Sequence, residues 1–205
     1  MQTNIMKKDV ISIIIIFLFL LNGYFIYRNT KKKLNLIKIE VATYKAKNEK
    51  LEGVLLEMIK NQNIRISKNI KVLNKKLDTL SLGEIINEPM LVFYFNEYSC
   101  MPCIDKILKV INERAKYSSI KLIILSKYDE AKDMVLFYRV NKTQIPVFNL
   151  TQDLPLPASH RNIPFIFYID NSMRVNNLLT IEKSDIKFLK EYFALYEYLF
   201  REKTY

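Results

Sequence analysis

The only two cysteines of the 205-residue chain stand three positions apart, at Cys100 and Cys103, in the segment EYSCMPCIDK. Two thiols at this spacing can form a redox-active disulfide or supply two ligands to a metal ion. Zinc needs four ligands, so two thiols and the single imidazole of His160 do not complete a closed zinc site. Copper(I) accepts two thiolates and an imidazole, so Cys100, Cys103 and His160 define the alternative interpretation. A lone histidine in the polar stretch SHRN is, however, more often an exposed loop residue.

The residues on either side of the cysteines predict a strand that leads into a helix. Residues 91–95, LVFYF, are wholly apolar, as in a strand covered on both faces. Apolar residues then recur at helical spacing, at Ile104, Ile107, Leu108 and Ile111. Cys100 would lie at the first turn of that helix, where free N–H groups and the helix dipole stabilise a thiolate and lower its pKa. Cys103 returns to the same face one turn later, and Pro102 is tolerated between them because its missing N–H costs nothing there.

The remainder of the carboxyl-terminal region is predicted to alternate between strands and helices. Apolar strands are predicted at residues 120–125, 145–150 and 165–169, with helical segments at 129–138 and 153–160. A hairpin turn at residues 170–172 leads into 173–181, and Ser184 can cap a last helix that ends near residue 200. This order predicts an α/β domain over residues 80–205, with helices on both faces of a mixed sheet.

These features resemble the thioredoxin-like superfamily. They are an apolar strand that ends at a C-x-x-C opening a helix, and Ile163-Pro164 directly before a strand and hairpin. The strand inserted before Pro164 and the apolar amino terminus are closer to the membrane-tethered TlpA/ResA branch. The resemblance implies a thiol-disulfide oxidoreductase that needs no cofactor, acts on protein thiols or disulfides and exchanges electrons with a separate redox partner. It also implies roles for individual residues: Cys100 attacks, Cys103 resolves, Pro164 is a cis-proline, and the backbone of Ile163 docks an extended substrate.

Met101 and Pro102 join Ile163 and Pro164 as the substrate contacts that the resemblance implies. The sequence also departs from the family pattern, because Ser99 stands where a tryptophan often precedes the first cysteine and Tyr94 stands where thioredoxin has a buried acid. No general base is therefore identified, and Glu97 is either a candidate or an exposed loop residue.

Two related functions fit the spacing less well. Copper chaperones of this fold usually place three residues between their cysteines, whereas this chain has two. A peroxidase of this fold would carry a threonine three residues before its cysteine, where Glu97 stands.

The amino terminus predicts a membrane anchor. Residues 10–27, VISIIIIFLFLLNGYFIY, contain no charge and lie between Lys7-Lys8 and Arg28. At about 1.5 Å per residue such a helix can cross a bilayer. Because Gly23 is the only small residue near its end, we predict an uncleaved anchor in residues 1–27 rather than a signal peptide.

Two opposing arguments bear on the orientation of this anchor. Seven Lys or Arg follow the run within twenty residues and two precede it, which favours a cytoplasmic domain. Long domains are translocated largely regardless of charge, and the resembled family is mostly exported. We therefore expect a single-pass protein of a bacterial cytoplasmic membrane with its domain on the periplasmic or outer side. The absence of further cysteines suits an oxidising compartment.

Residues 28–79 predict a basic helical stalk. Residues 28–76 account for +10 of the net charge of +11, so the basic pI does not indicate that the domain binds nucleic acid. Apolar residues fall in a heptad series with Asn48 and Gln62 in its gaps: Leu34, Ile37, Val41, Tyr44, Leu51, Leu55 and Met58. A second series follows with its phase moved by one residue: Ile66, Ile70, Leu73, Leu77 and Leu80. The pattern predicts either a parallel homodimer through a coiled coil or a single amphipathic helix lying on the membrane or on its own domain.

Overall fold

The computed structural model describes the backbone of residues 2–117, 121–182 and 186–202, and the side chains of residues 17–116, 121–182 and 186–198. The predicted helix cap Ser184 and the first predicted residue of the second strand, Ile120, lie outside these ranges. The chain divides into two compact units, Met1–Glu52 and Gly53–Tyr205.

The first unit consists of one helix. This helix, α1, spans Gln2–Asn61 and so begins in the first unit and ends in the second. Five of its predicted heptad residues are 49% to 61% exposed: Leu34, Ile37, Val41, Tyr44 and Leu51. No helix within the described part of the chain is long and apolar enough to cross a membrane. Residues 10–16, which open the predicted anchor, lie outside the residues whose side chains are described.

The second unit is built on a seven-stranded mixed sheet in the order β2-β1-β5-β4-β3-β6-β7. The strands are β1 Lys71–Leu73, β2 Thr79–Ser81, β3 Met90–Asn96, β4 Leu122–Lys127, β5 Val147–Leu150, β6 Phe165–Ile169 and β7 Val175–Thr180. The other elements are α2 Leu82–Ile85, α3 Met101–Tyr117, α4 Ala131–Asn141, a 3₁₀ turn Pro157–His160 and α5 Ile186–Glu202. The predicted mixed α/β sheet is therefore confirmed.

The three central strands β3, β4 and β5 run parallel, and all other neighbours pair antiparallel. Parallel neighbours need a crossover connection, which α3 supplies between β3 and β4 and α4 supplies between β4 and β5. The carboxyl ends of β3, β4 and β5 consequently lie at the same edge of the sheet. The segment with the two cysteines leaves the sheet at this edge, because it follows β3 directly.

Alternate residues of β3 point into two separate cores. Phe93 and Phe95 pack with residues of α3, α4 and α5 on one face. Val92 and Tyr94 pack on the other face with residues of β1, α2 and the 3₁₀ turn. Both faces therefore carry helical segments, as predicted, but α3, α4 and α5 share a single face.

The sequence predicts a helical stalk that continues to residue 79, whereas α1 ends at Asn61. Asn63 adopts a left-handed backbone conformation with φ of 61°, which a helix cannot continue through. Residues 63–66 instead lie alongside β7, with N–H···O bonds of 2.8 to 2.9 Å from Asn63 to Val175, from Val175 to Ile64 and from Ile66 to Met173. Ile66 and Ile70 are only 1% and 4% exposed, so they belong to the core of the domain rather than to a second heptad series.

Candidate active site

The two cysteines close a disulfide within the first turn of α3. Cys100 and Cys103 are disulfide-bonded, and their Cα atoms are 5.3 Å apart. Cys100 immediately precedes the first helical residue, and its carbonyl accepts hydrogen bonds from the N–H groups of Cys103 (2.9 Å) and Ile104 (3.0 Å). Cys100 is therefore the N-cap of α3, a position at which the helix dipole favours a negative charge on its sulfur. The placement of both cysteines that the sequence predicts is the one observed.

The two cysteines differ in their access to solvent. Cys103 is 7% exposed and faces the core, whereas Cys100 is half-buried. The residues between them, Met101 and Pro102, are both exposed, and 39% of Met101 is accessible. An incoming sulfur atom can consequently approach Cys100 from solvent more easily than Cys103.

A pair of buried polar side chains shapes the segment that precedes Cys100. Asn96 ends β3 and is 8% exposed, and Ser99 is 4% exposed. The Ser99 hydroxyl donates to Asn96 Oδ1 (2.9 Å) and accepts from the Asn96 N–H (3.2 Å), while the Ser99 N–H donates to the Asn96 carbonyl (3.0 Å). These three bonds close the turn and fix the residue directly before the cysteine. Asn96 is not among the site residues predicted from the sequence, although an amide directly after the apolar run LVFYF is a recognisable signal.

The segment with Ile163 and Pro164 lies beside the end of β3. In the β3–β6 ladder Tyr94 is paired with Phe165, so the residues before Phe165 run past the strand end that leads to Cys100. A hydrogen bond of 3.1 Å from Asn96 Nδ2 to Asn162 Oδ1 joins the two segments directly. The structure thus joins the segment before Cys100 to the segment before Pro164, which are about sixty residues apart in the sequence.

Pro164 and Ile163 differ in how their backbone is used. Pro164 is buried, and its carbonyl accepts a hydrogen bond of 2.8 Å from the Ile181 N–H. Ile163 is half-buried, and within the described residues its own N–H and carbonyl have no hydrogen-bond partner. All described peptide bonds are trans, so the cis geometry that the resemblance implies for Pro164 is not present. The free backbone of Ile163 is the feature that an extended chain could pair with.

The ionisable residues near the cysteines are engaged in other contacts. The Glu97 carboxylate accepts a hydrogen bond from the Asp129 N–H (3.1 Å). A hydrogen bond to Glu97, together with the negative charge of that residue, raises the pKa of Tyr98 above its ordinary value. Tyr94 stacks on Phe165 with ring centroids 4.6 Å apart, and burial raises the pKa of Tyr94 far above its ordinary value. Tyr94 is therefore a neutral phenol at neutral pH and not a replacement for a carboxylate base.

The structure does not bring His160 together with the cysteines. His160 is exposed at the end of the 3₁₀ turn. Within the described residues, which include all three side chains, no three Cys, His, Asp or Glu side chains group as metal ligands. The third ligand required by the copper interpretation is thus not placed at the cysteine pair.

Two residues in the last turns of α1 contact the segment that precedes Ile163. Arg161 forms an ion pair of 3.1 Å with Glu57, whose side chain is only 18% exposed. Asn61 is fully buried, and its Oδ1 accepts a hydrogen bond of 3.2 Å from the Ala158 N–H. The sequence carries no local signal for these contacts because their partners are far apart along the chain.

No protein-family model matches the sequence, and no curated protein matches it. Among solved structures, a mutant of peroxiredoxin Q from Xanthomonas campestris is similar with a TM-score of 0.49 and 8% identity, over 66% of this chain and 96% of that chain. The peroxidoxin BcpB from Mycobacterium tuberculosis gives 0.48 and 11%, over 66% and 97%. A proposed thiol-disulfide oxidoreductase from Bacteroides vulgatus gives 0.43 and 14%, over 66% and 96%. Scores and identities this low assign no activity to the chain.

Proposed function

We propose that the protein is a thiol-disulfide oxidoreductase that exchanges disulfides with protein substrates through Cys100 and Cys103. In the reducing direction the Cys100 thiolate attacks one sulfur of a substrate disulfide, forms a mixed disulfide and releases the other sulfur as a thiol. Cys103 then attacks the Cys100 sulfur and releases the second substrate thiol. The substrate gains two electrons, and the protein is left with the Cys100–Cys103 disulfide. A separate dithiol partner reduces it again, and the opposite flow gives an oxidase.

The observation that carries this proposal is the unequal access to the two linked cysteines. A mixed-disulfide mechanism needs one sulfur that a substrate protein can reach and a second, less accessible sulfur that later attacks the first. Cys100 at the helix start and Cys103 at 7% exposure meet these two needs. Two equivalent ligands for a metal ion would have no reason to differ in this way.

Trapping of substrates tests the mechanism. With Cys103→Ala, Cys100 should still attack but nothing should release the product, so covalent adducts sensitive to reductant should accumulate. Cys100→Ala should accumulate few adducts, because the remaining thiol is buried. His160→Ala serves as the control and should leave disulfide exchange unchanged. Equal adduct levels from both cysteine variants would contradict the assignment of roles.

We further propose that the protein is a membrane-tethered, TlpA/ResA-like member of the thioredoxin-like proteins, anchored by residues 10–27 in a bacterial cytoplasmic membrane. The uncharged run of eighteen residues supports this proposal. The domain would lie on the periplasmic or outer side. Alkaline phosphatase fused after residue 205 is active only outside the cytoplasm, so an inactive but stably expressed fusion would overturn the orientation.

A parallel homodimer through residues 28–52 is the third part of the proposal. It is supported by the heptad series, whose described side chains in that range are exposed along α1. A chain that begins at Arg28 should then have a larger mass in sedimentation equilibrium than one that begins at Gly53. Asn48→Leu should change the oligomeric state without unfolding the domain, because a buried Asn fixes the register of such dimers. Monomeric masses for both chains would leave the single amphipathic helix.

A further inference from the structure

We propose that Asn162 is a positioning residue for disulfide exchange with extended protein substrates, and that it acts through the backbone of Ile163. This inference rests on the proposed function of the cysteine pair. It concerns the hydrogen bond between Asn96 and Asn162, which links the segment before Cys100 to the segment before Pro164.

One buried side chain contacts both segments at once. Asn96 Oδ1 accepts from the hydroxyl of Ser99, the neighbour of Cys100 (2.9 Å). Asn96 Nδ2 donates to Oδ1 of Asn162, the neighbour of Ile163 (3.1 Å). Because Asn96 is only 8% exposed and uses both of its polar atoms, its orientation is fixed. This single amide therefore links the segment of the attacking sulfur to the segment of the docking backbone, next to the end of the β3–β6 ladder.

Among the described residues, the bond from Asn96 to Asn162 is the one hydrogen bond of the short segment between two anchored residues. On one side the Arg161 N–H donates to the Ala158 carbonyl (3.1 Å), and on the other side the Pro164 carbonyl accepts from Ile181 (2.8 Å). Between them, within the described residues, the backbones of Asn162 and Ile163 form no hydrogen bond. Loss of the Asn162 side chain would leave these two residues free to move relative to Cys100.

Small and extended substrates should respond differently to that loss. A small disulfide needs only the Cys100 sulfur, which Asn162 does not contact. An extended peptide that pairs with the Ile163 backbone must present its sulfur at a fixed distance from Cys100, and a displacement of about 1 Å is enough to slow such a reaction strongly. The proposal thus predicts an effect on peptide exchange alone.

The test uses the reduced protein and compares two probes, each of which releases the same coloured thiolate when a protein thiolate attacks its disulfide. One probe is dithiobis(nitrobenzoate), and the other is an extended peptide with its single cysteine held as the thionitrobenzoate disulfide. Asn162→Ala should lower the rate constant with the peptide about tenfold and leave the reaction with the small probe and its pH profile unchanged. Asn162→Asp should stay within about twofold of the parent protein, because a carboxylate oxygen still accepts the bond from Asn96.

Asn171→Ala provides the matched control, since Asn171 is also exposed but lies in the turn after β6. It should leave both rate constants unchanged. Equal slowing with both probes by Asn162→Ala, no slowing with the peptide, or an Asp variant as slow as the Ala variant would each overturn the positioning role. Failure of the parent protein to react with either probe would instead overturn the proposed function.

Discussion

Pro102 removes a hydrogen-bond donor from the place where a Cys100 thiolate would use it. A side chain at an N-cap accepts hydrogen bonds from the N–H groups of the second and third helical residues. In α3 the second residue is Pro102, which has no N–H, and the third is Cys103, whose N–H already donates to the Cys100 carbonyl. A Cys100 thiolate is therefore stabilised by the helix dipole and by the other N–H groups of the first turn.

Pro102→Ala should lower the pKa of Cys100 by about one unit, because a hydrogen bond to a charged group contributes about 1.5 kcal/mol. Stabilising the thiolate also favours the reduced protein, so the reduction potential should rise. The ultraviolet absorbance of the thiolate as a function of pH measures the first effect, and equilibration with glutathione measures the second. Met101→Ala is the control because it keeps the number of N–H groups, and an identical shift in both variants would contradict the explanation.

Tyr128 makes the stability of the domain sensitive to alkaline pH. It packs edge-on against Phe95 at 5.9 Å, and burial, followed by the charges of Asp133 and Glu97, raises the pKa of Tyr128 to about 12. The phenol has a pKa near 10 in the unfolded chain. The contribution of neutral Tyr128 to the free energy of unfolding is therefore fully present below about pH 10 and is lost as the pH rises through about 12. Tyr128→Phe keeps the ring but cannot ionise, so it should reduce the fall in the free energy of unfolding between about pH 9 and about pH 11. Denaturant titrations at both pH values check this, and an unchanged difference would contradict it.

At the level of elements, the central strands and the hairpin strand β7 were predictable from the sequence, whereas β1 and β2 at the opposite edge of the sheet were not. The apolar runs that become β3, β4 and β6 are buried on both faces, so composition alone identifies them. By contrast β1 and β2 have three residues each, too few to show an alternation. Ile66 and Ile70 stand four residues apart, as on one face of a helix, although both lie in the irregular segment between α1 and β1.

The same distinction applies to the candidate site. The cysteine pair and Pro164 follow from local patterns, because a spacing of three within a helix and a proline before a strand are visible in the sequence. The contacts that join these segments, Asn96 to Asn162 and Glu57 to Arg161, depend on pairing between distant strands and on where α1 ends. Local patterns contain no information about either.

Gly83 is required where α2 packs against the segment before β1. A Cβ atom at this position would lie 2.9 Å from the Cβ of Lys68, and the Gly83 N–H donates to the Lys68 carbonyl (2.9 Å). Because the clash involves an atom close to the backbone, Gly83→Ala should lower the free energy of unfolding by about 1–3 kcal/mol. Gly53→Ala, which meets nothing within 4 Å inside α1, should leave the free energy of unfolding unchanged or raise it by up to about 1 kcal/mol. Chemical denaturation measures both, and equal effects would contradict the packing explanation.

At the scale of the whole molecule, the second unit should fold without residues 1–52 but not without residues 53–79. A start at residue 80 removes Ile66, Ile70 and Val72, which are at most 4% exposed, together with β1 and the segment beside β7. Loss of three buried aliphatic side chains should lower the free energy of unfolding by as much as the whole stability of a typical domain of this size. We expect cooperative thermal unfolding, followed by circular dichroism, for residues 53–205 and none for residues 80–205. Cooperative unfolding of the shorter chain would show that the domain begins later than the structure indicates.

The segment 63–66 beside β7 has a consequence for how copies of this protein meet one another. An exposed edge strand presents a row of unpaired N–H and carbonyl groups to which a second molecule can add its own strand, which leads to aggregation. Here the segment 63–66 already pairs with Val175, the first residue of β7, and exposes Arg65, and the opposite edge, β2, has only three residues. Because the start of one edge is already paired and the other edge is short, concentrated molecules should remain individually folded instead of joining sheet to sheet.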